Sequence, residues 1–251
     1  MNLIADTHTH TIASTHAYGT VMENVHEAAK KGLYAVAITD HGFAMPGSPG
    51  KWYFENLRAL PRYLEGVLLL RGEEANITDF DGTTDLVPKD LDSLDWVVAS
   101  FHKPVVEKLL GGREPTKKQV SDAWLAVAGN PHINVIGHCG TAEFEFEYEK
   151  VLPEFGRNGK LVELNEGTFS SRRDSVPNCV RIMLLCKQHG VPIIVDSDAH
   201  FPTRVGDCPH CQKLLEEIDF PEELVVNSSV ERFQAYLKQY TRVFQNKVGG
   251  G

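Results

Sequence analysis

The chain carries eleven histidines in 251 residues, and several stand beside carboxylates at spacings that suit metal ligation. His8-Thr9-His10 puts two imidazoles two residues apart. On an extended segment side chains alternate, so both rings point to one side and can chelate one ion. Asp198-Ala199-His200 repeats that arrangement far along the chain, and His16, His41, Glu73-Glu74, His102 and His138 lie between. Imidazole and carboxylate without thiolate suit Zn²⁺, Mn²⁺ or Fe²⁺. Nine groups are candidate ligands: His8, His10, His16, His41, Glu74, His102, His138, Asp198 and His200. One catalytic ion takes about three or four protein ligands. Nine ligands with one bridging carboxylate serve about three ions and leave positions open for water and substrate. These residues predict a multimetal cluster.

Such a cluster needs elements that gather distant residues. Short apolar, β-branched runs recur at Leu3–Ala5, Tyr34–Thr39, Val67–Leu70, Trp96–Ser100, Asn134–Gly137, Leu161–Asn165 and Ile193–Asp196. Continuous apolar runs are the mark of parallel strands buried on both faces. Helical segments separate several of them. Thr20 with Glu23, and Thr116 with Gln119, form capping-box signatures; Ser175-Val176-Pro177 starts a third helix and Ser228-Ser229-Val230-Glu231 a last one. Strand and helix alternating about seven times predict an α/β fold: a distorted (β/α)7 barrel of parallel strands rather than an open doubly wound sheet. Thr78–Asp85, with its Asp-Gly turn, reads as a hairpin excursion.

In α/β barrels the residues just past the strand C-termini converge on one mouth. The five residues after each strand span about 35 positions, where chance places roughly 1.5 histidines. His8, His10, His41, His102, His138 and His200 all fall there. His26, His132 and His189 lie elsewhere and are expected on the solvent side. Glu73 is expected at the surface or against a neighbouring strand.

The formal charge of −9 and the lack of any long Lys/Arg cluster argue against a nucleic-acid partner. Three divalent ions would add six positive charges, so an acidic chain can still enclose a positive pocket. No apolar run is long enough for a membrane span, and the first residues lack the features of an export signal. Five cysteines, odd in number and irregularly spaced, suggest reduced thiols and a cytoplasmic protein. Cys208-Pro209-His210-Cys211 looks like half of a zinc site with no second pair to complete it; a loop leading into a helix is the better reading. Residues 1–248 are expected to form a single domain and Gly249–Gly251 a disordered tail. Association into a homo-oligomer stays open.

Taken in order, Asp6–His10, Ile38–Gly42, Gly72–Asn76, Ser100–His102, Gly137-His138 and Ser197–His200 resemble the successive motifs of the PHP (polymerase and histidinol phosphatase) superfamily. Ala13–Tyr18, Leu70–Ile77 and Asp219-Phe220-Pro221 are similar to its YcdX-type metal-dependent phosphatases. The resemblance implies a single PHP barrel with a trinuclear metal site, most simply zinc, with manganese or iron as alternatives. It implies that His8, His10, Glu74 and Asp198 hold one ion, that Glu74 bridges to a second held by His102 and His138, and that His16, His41 and His200 hold the third. Glu74 is preferred to Glu73 because the family's glutamate follows a G-x-E pattern. Glu74, Asp198 and His200 would then carry catalysis. A hydroxide bridging two ions would attack the phosphorus of a small phosphomonoester, and Arg172 or Arg173 would grip the phosphate. Asp6 and Asp40 would orient imidazoles.

The sequence departs from many relatives at Cys139, Glu166 and Lys103, positions expected to line the mouth and bear on substrate choice. Two other readings compete. One is an amidohydrolase-type barrel, which also begins with HxH but commonly uses a barrel lysine. The other is a non-catalytic or exonucleolytic PHP module serving a polymerase.

Overall fold

A computed structural model describes residues 1–245, the side chain of Pro88 excepted; the predicted tail at Gly249–Gly251 lies outside the described residues. The strands are β1 (Ala5–Asp6), β2 (Ala35–Ile38), β3 (Tyr63–Leu64), β4 (Val67–Asn76), β5 (Trp96–Ser100), β6 (Val135–Ile136), β7 (Leu161–Asn165) and β8 (Ile193–Asp196). The helices are α1 (Val21–Lys30), α2 (Lys51–Asn56), α3 (Pro88–Leu91), α4 (Lys103–Leu110), α5 (Lys117–Gly129), α6 (Tyr148–Arg157), α7 (Thr168–Ser171), α8 (Val176–His189), α9 (Pro209–Glu217) and α10 (Val230–Tyr240). The parallel order is β1-β2-β4-β5-β6-β7-β8, with β3 added antiparallel to β4. This is the expected seven-stranded parallel sheet, nearly closed into a barrel.

Two capping boxes form as the sequence predicts, at Thr20/Glu23 and Thr116/Gln119. Ser229 caps α10 through the Arg232 amide. Ser175 precedes α8 but makes no side-chain cap. The hairpin after β4 forms, with Ile77 bridged to Thr84.

Strand β4 departs from expectation, running to Asn76 instead of stopping at Leu70. Its first half pairs with β2 and its second half, from Gly72, with β5. Charged Glu73 and Glu74 hide this extension from a hydrophobicity reading, although both are buried. Gly72 sits at the hand-over, where a Cβ would stand 2.5 Å from the Trp96 carbonyl oxygen. Glycine there lets three strands approach closely.

Period-two alternation divides the core. Ala35, Ala37, Leu68, Leu70, Trp96 and Val98 pack with Phe233, Tyr236 and Leu237 of α10. Val36, Ile38, Val67 and Leu69 pack with Val25 and Ala28 of α1. Between β1 and β8, the Asn227 amide closes the seam: its Nδ2 donates to the carbonyls of Ala5 and Val195, at 2.9 and 2.6 Å, and its Oδ1 accepts from the Val195 amide at 3.1 Å. Further along, the His10 amide donates to the Ala199 carbonyl, which brings the two ends of the chemistry-bearing sequence together.

Candidate metal centre

All nine candidate ligands meet in one cluster around Glu74. Its Oε1 lies 2.9 Å from His138 Nε2 and 3.2 Å from His102 Nε2. Its Oε2 lies 2.6 Å from His41 Nδ1, 3.3 Å from His8 Nε2 and 3.5 Å from His10 Nε2. Asp198 Oδ1 stands 3.2 Å from His10 Nε2 and 3.6 Å from His8 Nε2. His16 Nε2 is 3.0 Å from His200 Nε2 and 3.3 Å from His41 Nε2. The parallel strands achieve this at or near their C-terminal ends: His8 and His10 follow β1, His41 follows β2, Glu74 lies in β4, His102 follows β5, His138 follows β6, and Asp198 and His200 follow β8. His138 and Asp198 adopt positive φ, 25° and 55°, conformations that non-glycine residues hold at functional sites when the surroundings enforce them.

The fit to metal ions rests on unsatisfied atoms. His8 Nε2, His10 Nε2, His41 Nδ1 and Glu74 Oε2 are buried without hydrogen-bond partners, although they crowd one another. Buried polar atoms are normally paired. Nitrogen and oxygen donors that converge yet do not bond to each other are what cations leave behind. Three sets of ligand atoms lie close enough to share an ion: His8, His10 and Asp198; His41, Glu74 and His102; and His10, His41 and His200. The first holds three of the four groups that the resemblance assigns to one ion, without Glu74. The others differ because His41 presents one ring nitrogen to Glu74 and the other to His16, placing it between two groups.

Four of the rings, His8, His10, His102 and His200, are held by a partner on the far nitrogen, which fixes the nitrogen offered to the cluster. Glu163 Oε1 is 2.6 Å from His8 Nδ1, and Glu163 Oε2 accepts from the His138 amide at 2.6 Å. Asn76 Oδ1 meets His102 Nδ1 at 2.7 Å, and the Asp198 carbonyl meets His200 Nδ1 at 2.9 Å. His10 Nδ1 meets Ser14 Oγ, which donates to Asp40. Asp40 thus acts on an imidazole through Ser14. Asp6 does not: it accepts from Ser197 and from the Gly206 amide, fixing the loop after β8. Sequence reading missed Glu163. Its signal was a lone carboxylate inside a strand whose residues are all buried.

Electrostatics follow from burial among opposite charges. Burial favours the protonated form of Glu74, but His102, His8 and His41 outweigh it and hold the carboxyl well below its ordinary range. Asp198 is likewise buried yet held well below by His8, His10 and Arg172. His8, despite burial, is raised well above the usual value by Glu163, Glu74 and Asp198. Burial, with His41 beside it, pushes His10 well below. His16 is lowered by burial and by His200 and His41.

Arg172 reaches the cluster: its Nη2 donates to Asn165 Oδ1 at 2.7 Å and Asp198 Oδ2 at 3.1 Å, while its Nε is buried and unpartnered. Arg173 does not. It is exposed and absent from the wall of the adjoining cleft, because the short turn after Arg172 directs it outward. That cleft, of about 500 Å³, is lined by His16, His200, Asp198, Arg172, Glu166 and the aromatic pair Tyr18 and Phe201, among others. Glu166 is the only one of the three departing positions to line it. Cys139 is 3% exposed, and Lys103 starts α4 with its amine near Glu143. Glu73 is not at the surface: it is fully buried, its oxygens unpartnered, with the Asp85 carboxyl the first neighbouring charge to act on it. His26, His132 and His189 stay away from the cluster, near Glu65, Asp92 and Glu149. All five cysteines are free and buried. Cys208 leads into α9, whose first turn is met by Glu166 through the His210 and Cys211 amides.

A family model described as the PHP domain matches residues 6–167. A "Probable phosphatase" of Acetivibrio thermocellus is 44% identical over 239 residues, covering 95% of this chain and 97% of the relative. Another "Probable phosphatase", of Clostridium botulinum, is 40% identical over 238 residues, covering 95% and 96%. Among solved structures, the histidinol phosphate phosphatase of Lactococcus lactis, complexed with zinc, L-histidinol and phosphate, superposes with a TM-score of 0.60 at 18% identity. That match covers 88% of this chain and 95% of the other. The barrel, the strand-end cluster and the matched sequence agree: this chain belongs to the PHP domain family.

Proposed function

We propose that this protein is a metal-dependent phosphatase acting on small phosphomonoesters, with three divalent ions, zinc foremost, held by His8, His10, His16, His41, Glu74, His102, His138, Asp198 and His200. The observation that carries the reading is the set of buried, unpartnered donor atoms on His8, His10, His41 and Glu74. Relatives of this length named as phosphatases support it, as does the zinc and phosphate complex of a protein with the same fold. Bound there, divalent ions supply Lewis acidity and make hydroxide available near neutral pH.

The chain's own groups do the rest. Glu74 and Asp198 stay ionised, and Glu74 offers its two oxygens to different sets of imidazoles. His200 stands at the edge facing the cleft, where the ester would enter. Arg172, tied to Asn165 and Asp198, keeps its remaining guanidinium edge for phosphate oxygens, which charge-assisted bonds suit. Glu163, Asn76 and Ser14 prevent the rings from turning away. No serine or cysteine nucleophile is required.

The purified, metal-loaded protein should hydrolyse a generic aryl phosphate, and Glu74→Ala or His138→Ala should abolish turnover. Full metal loading with no activity on any phosphoester would favour the non-catalytic module reading instead. Amidohydrolase-type barrels commonly use a lysine among the ligands; the nine groups gathered here are imidazoles and carboxylates, which disfavours that reading. A cytoplasmic location fits the free cysteines, and among the described residues no helix is long and apolar enough to cross a membrane.

A further inference from the structure

The hairpin after β4 brings a buried carboxyl back behind the cluster. Asp85 ends it: the Asp85 amide donates to the Asn76 carbonyl at 3.2 Å, and Ile77 pairs with Thr84. The residue is 8% exposed, and both carboxyl oxygens are engaged. Oδ1 accepts from the Asn76 amide at 3.0 Å; Oδ2 accepts from Asn76 Nδ2 at 2.6 Å and from the Ala44 amide at 2.9 Å. Burial raises the Asp85 carboxyl above its ordinary range, and the N–H groups of Ala44 and Asn76 oppose this. A Cβ at Gly42 would collide with the carboxyl oxygens of both Asp85 and Glu73, so glycine there leaves room for the pair. Buried groups bonded this fully are costly to disturb and specify one arrangement.

That arrangement matters at Asn76. A side-chain amide has one donating end and one accepting end. Asn76 Nδ2 faces two acceptors, the Asp85 carboxylate and, at 3.0 Å, the Gly42 carbonyl. The nitrogen is therefore fixed on that side and Oδ1 on the other, 2.7 Å from His102 Nδ1. An accepting oxygen there requires Nδ1 to carry the proton, which leaves the lone pair of Nε2 facing Glu74. Asp85 also holds Ala44, three residues past His41, in a turn whose Gly42 amide donates to the Glu74 carbonyl. His41, Glu74 and His102 form one of the sets close enough to share an ion. Asp85 braces that set from behind, through Asn76 and the Gly42–Ala44 turn.

We propose that Asp85 is a positioning residue for one ion of the cluster, the one shared by His41, Glu74 and His102, because it sets the Asn76 amide and thereby the nitrogen that His102 offers. This rests on the metal-dependent reading and deepens it. Asp85→Asn keeps the shape but must turn an NH2 toward at least one of the three N–H groups. Competition with a chelator should then show one zinc ion bound about 10- to 100-fold more weakly, with the others unchanged. Asn76→Asp sets two carboxylates against each other and should weaken the same ion. Combining it with Asp85→Asn puts a donor opposite an acceptor again and should recover about tenfold, which a merely structural role would not. Should the variants fail to fold, nitrogen NMR of the zinc-loaded wild type decides: zinc belongs on His102 Nε2 and a proton on Nδ1. Equal weakening of every ion, no weakening in folded variants, no recovery in the double variant, or zinc on Nδ1 would overturn the role of Asp85. A wild type that binds no zinc would instead remove the metal-dependent reading.

Discussion

At the scale of single residues, the decisive contacts are those behind the cluster rather than in it. Glu163 holds His8 and the His138 amide at once. Glu163→Gln keeps the shape but sets a donor against the His138 N–H, so metal affinity should fall about 10- to 100-fold, measured by competition with a chelator. Protons and ions compete for the same atoms. Buried His8 is raised above its ordinary value of 6.5 by Glu163, Glu74 and Asp198. In metal-free protein, the stability this proton supplies is complete below about 6.5 and is lost as pH rises through the folded value. Ions bound in its place owe nothing to that proton. The gap in denaturation midpoint between loaded and metal-free protein should therefore widen as pH rises above about 6.5; a gap independent of pH would contradict the ligand role of His8. Residue types and spacing made six imidazoles of the cluster legible because they follow strand ends, whereas His16 lies further along the loop after β1 and Glu74 lies within β4. Arg173 and Asp6 were misjudged because neighbours in sequence diverge wherever a turn intervenes.

At the scale of elements, β4 does the most to place the chemistry, since it carries Glu74 into the barrel while joining β2 to β5. Apolar patterning found where this strand begins and missed where it ends, because two consecutive glutamates look like a loop. Only their burial, which depends on partners distant in sequence, makes them strand. Gly72 is where that junction is tightest. Gly72→Ala would drive a methyl against the Trp96 carbonyl, at a cost of about 1–3 kcal/mol, and would displace Glu74. Urea denaturation and ion content should fall together. A capping change tells the opposite story: Thr116→Ala removes the box of α5, should cost about 1 kcal/mol, and should leave turnover unchanged.

The whole molecule is a ring of strands whose seam is sealed by a side chain. Asn227 bonds to both β1 and β8, and α10 plugs the interior beneath the cluster. Asn227→Ala removes three buried hydrogen bonds and should cost about 2–4 kcal/mol, while protein that remains folded should still bind its ions. Alternation of strand and helix made the barrel legible from sequence. The means of its closure was not, since no local pattern announces that an asparagine near the end of the chain will bridge the first strand and the last. Everything functional depends on this ring bringing nine scattered donors to one place. The most direct test is anomalous scattering from crystals grown with zinc. Three peaks should stand around Glu74, flanked by His8, His102 and His200. A single peak, or none at full zinc concentration, would contradict the account.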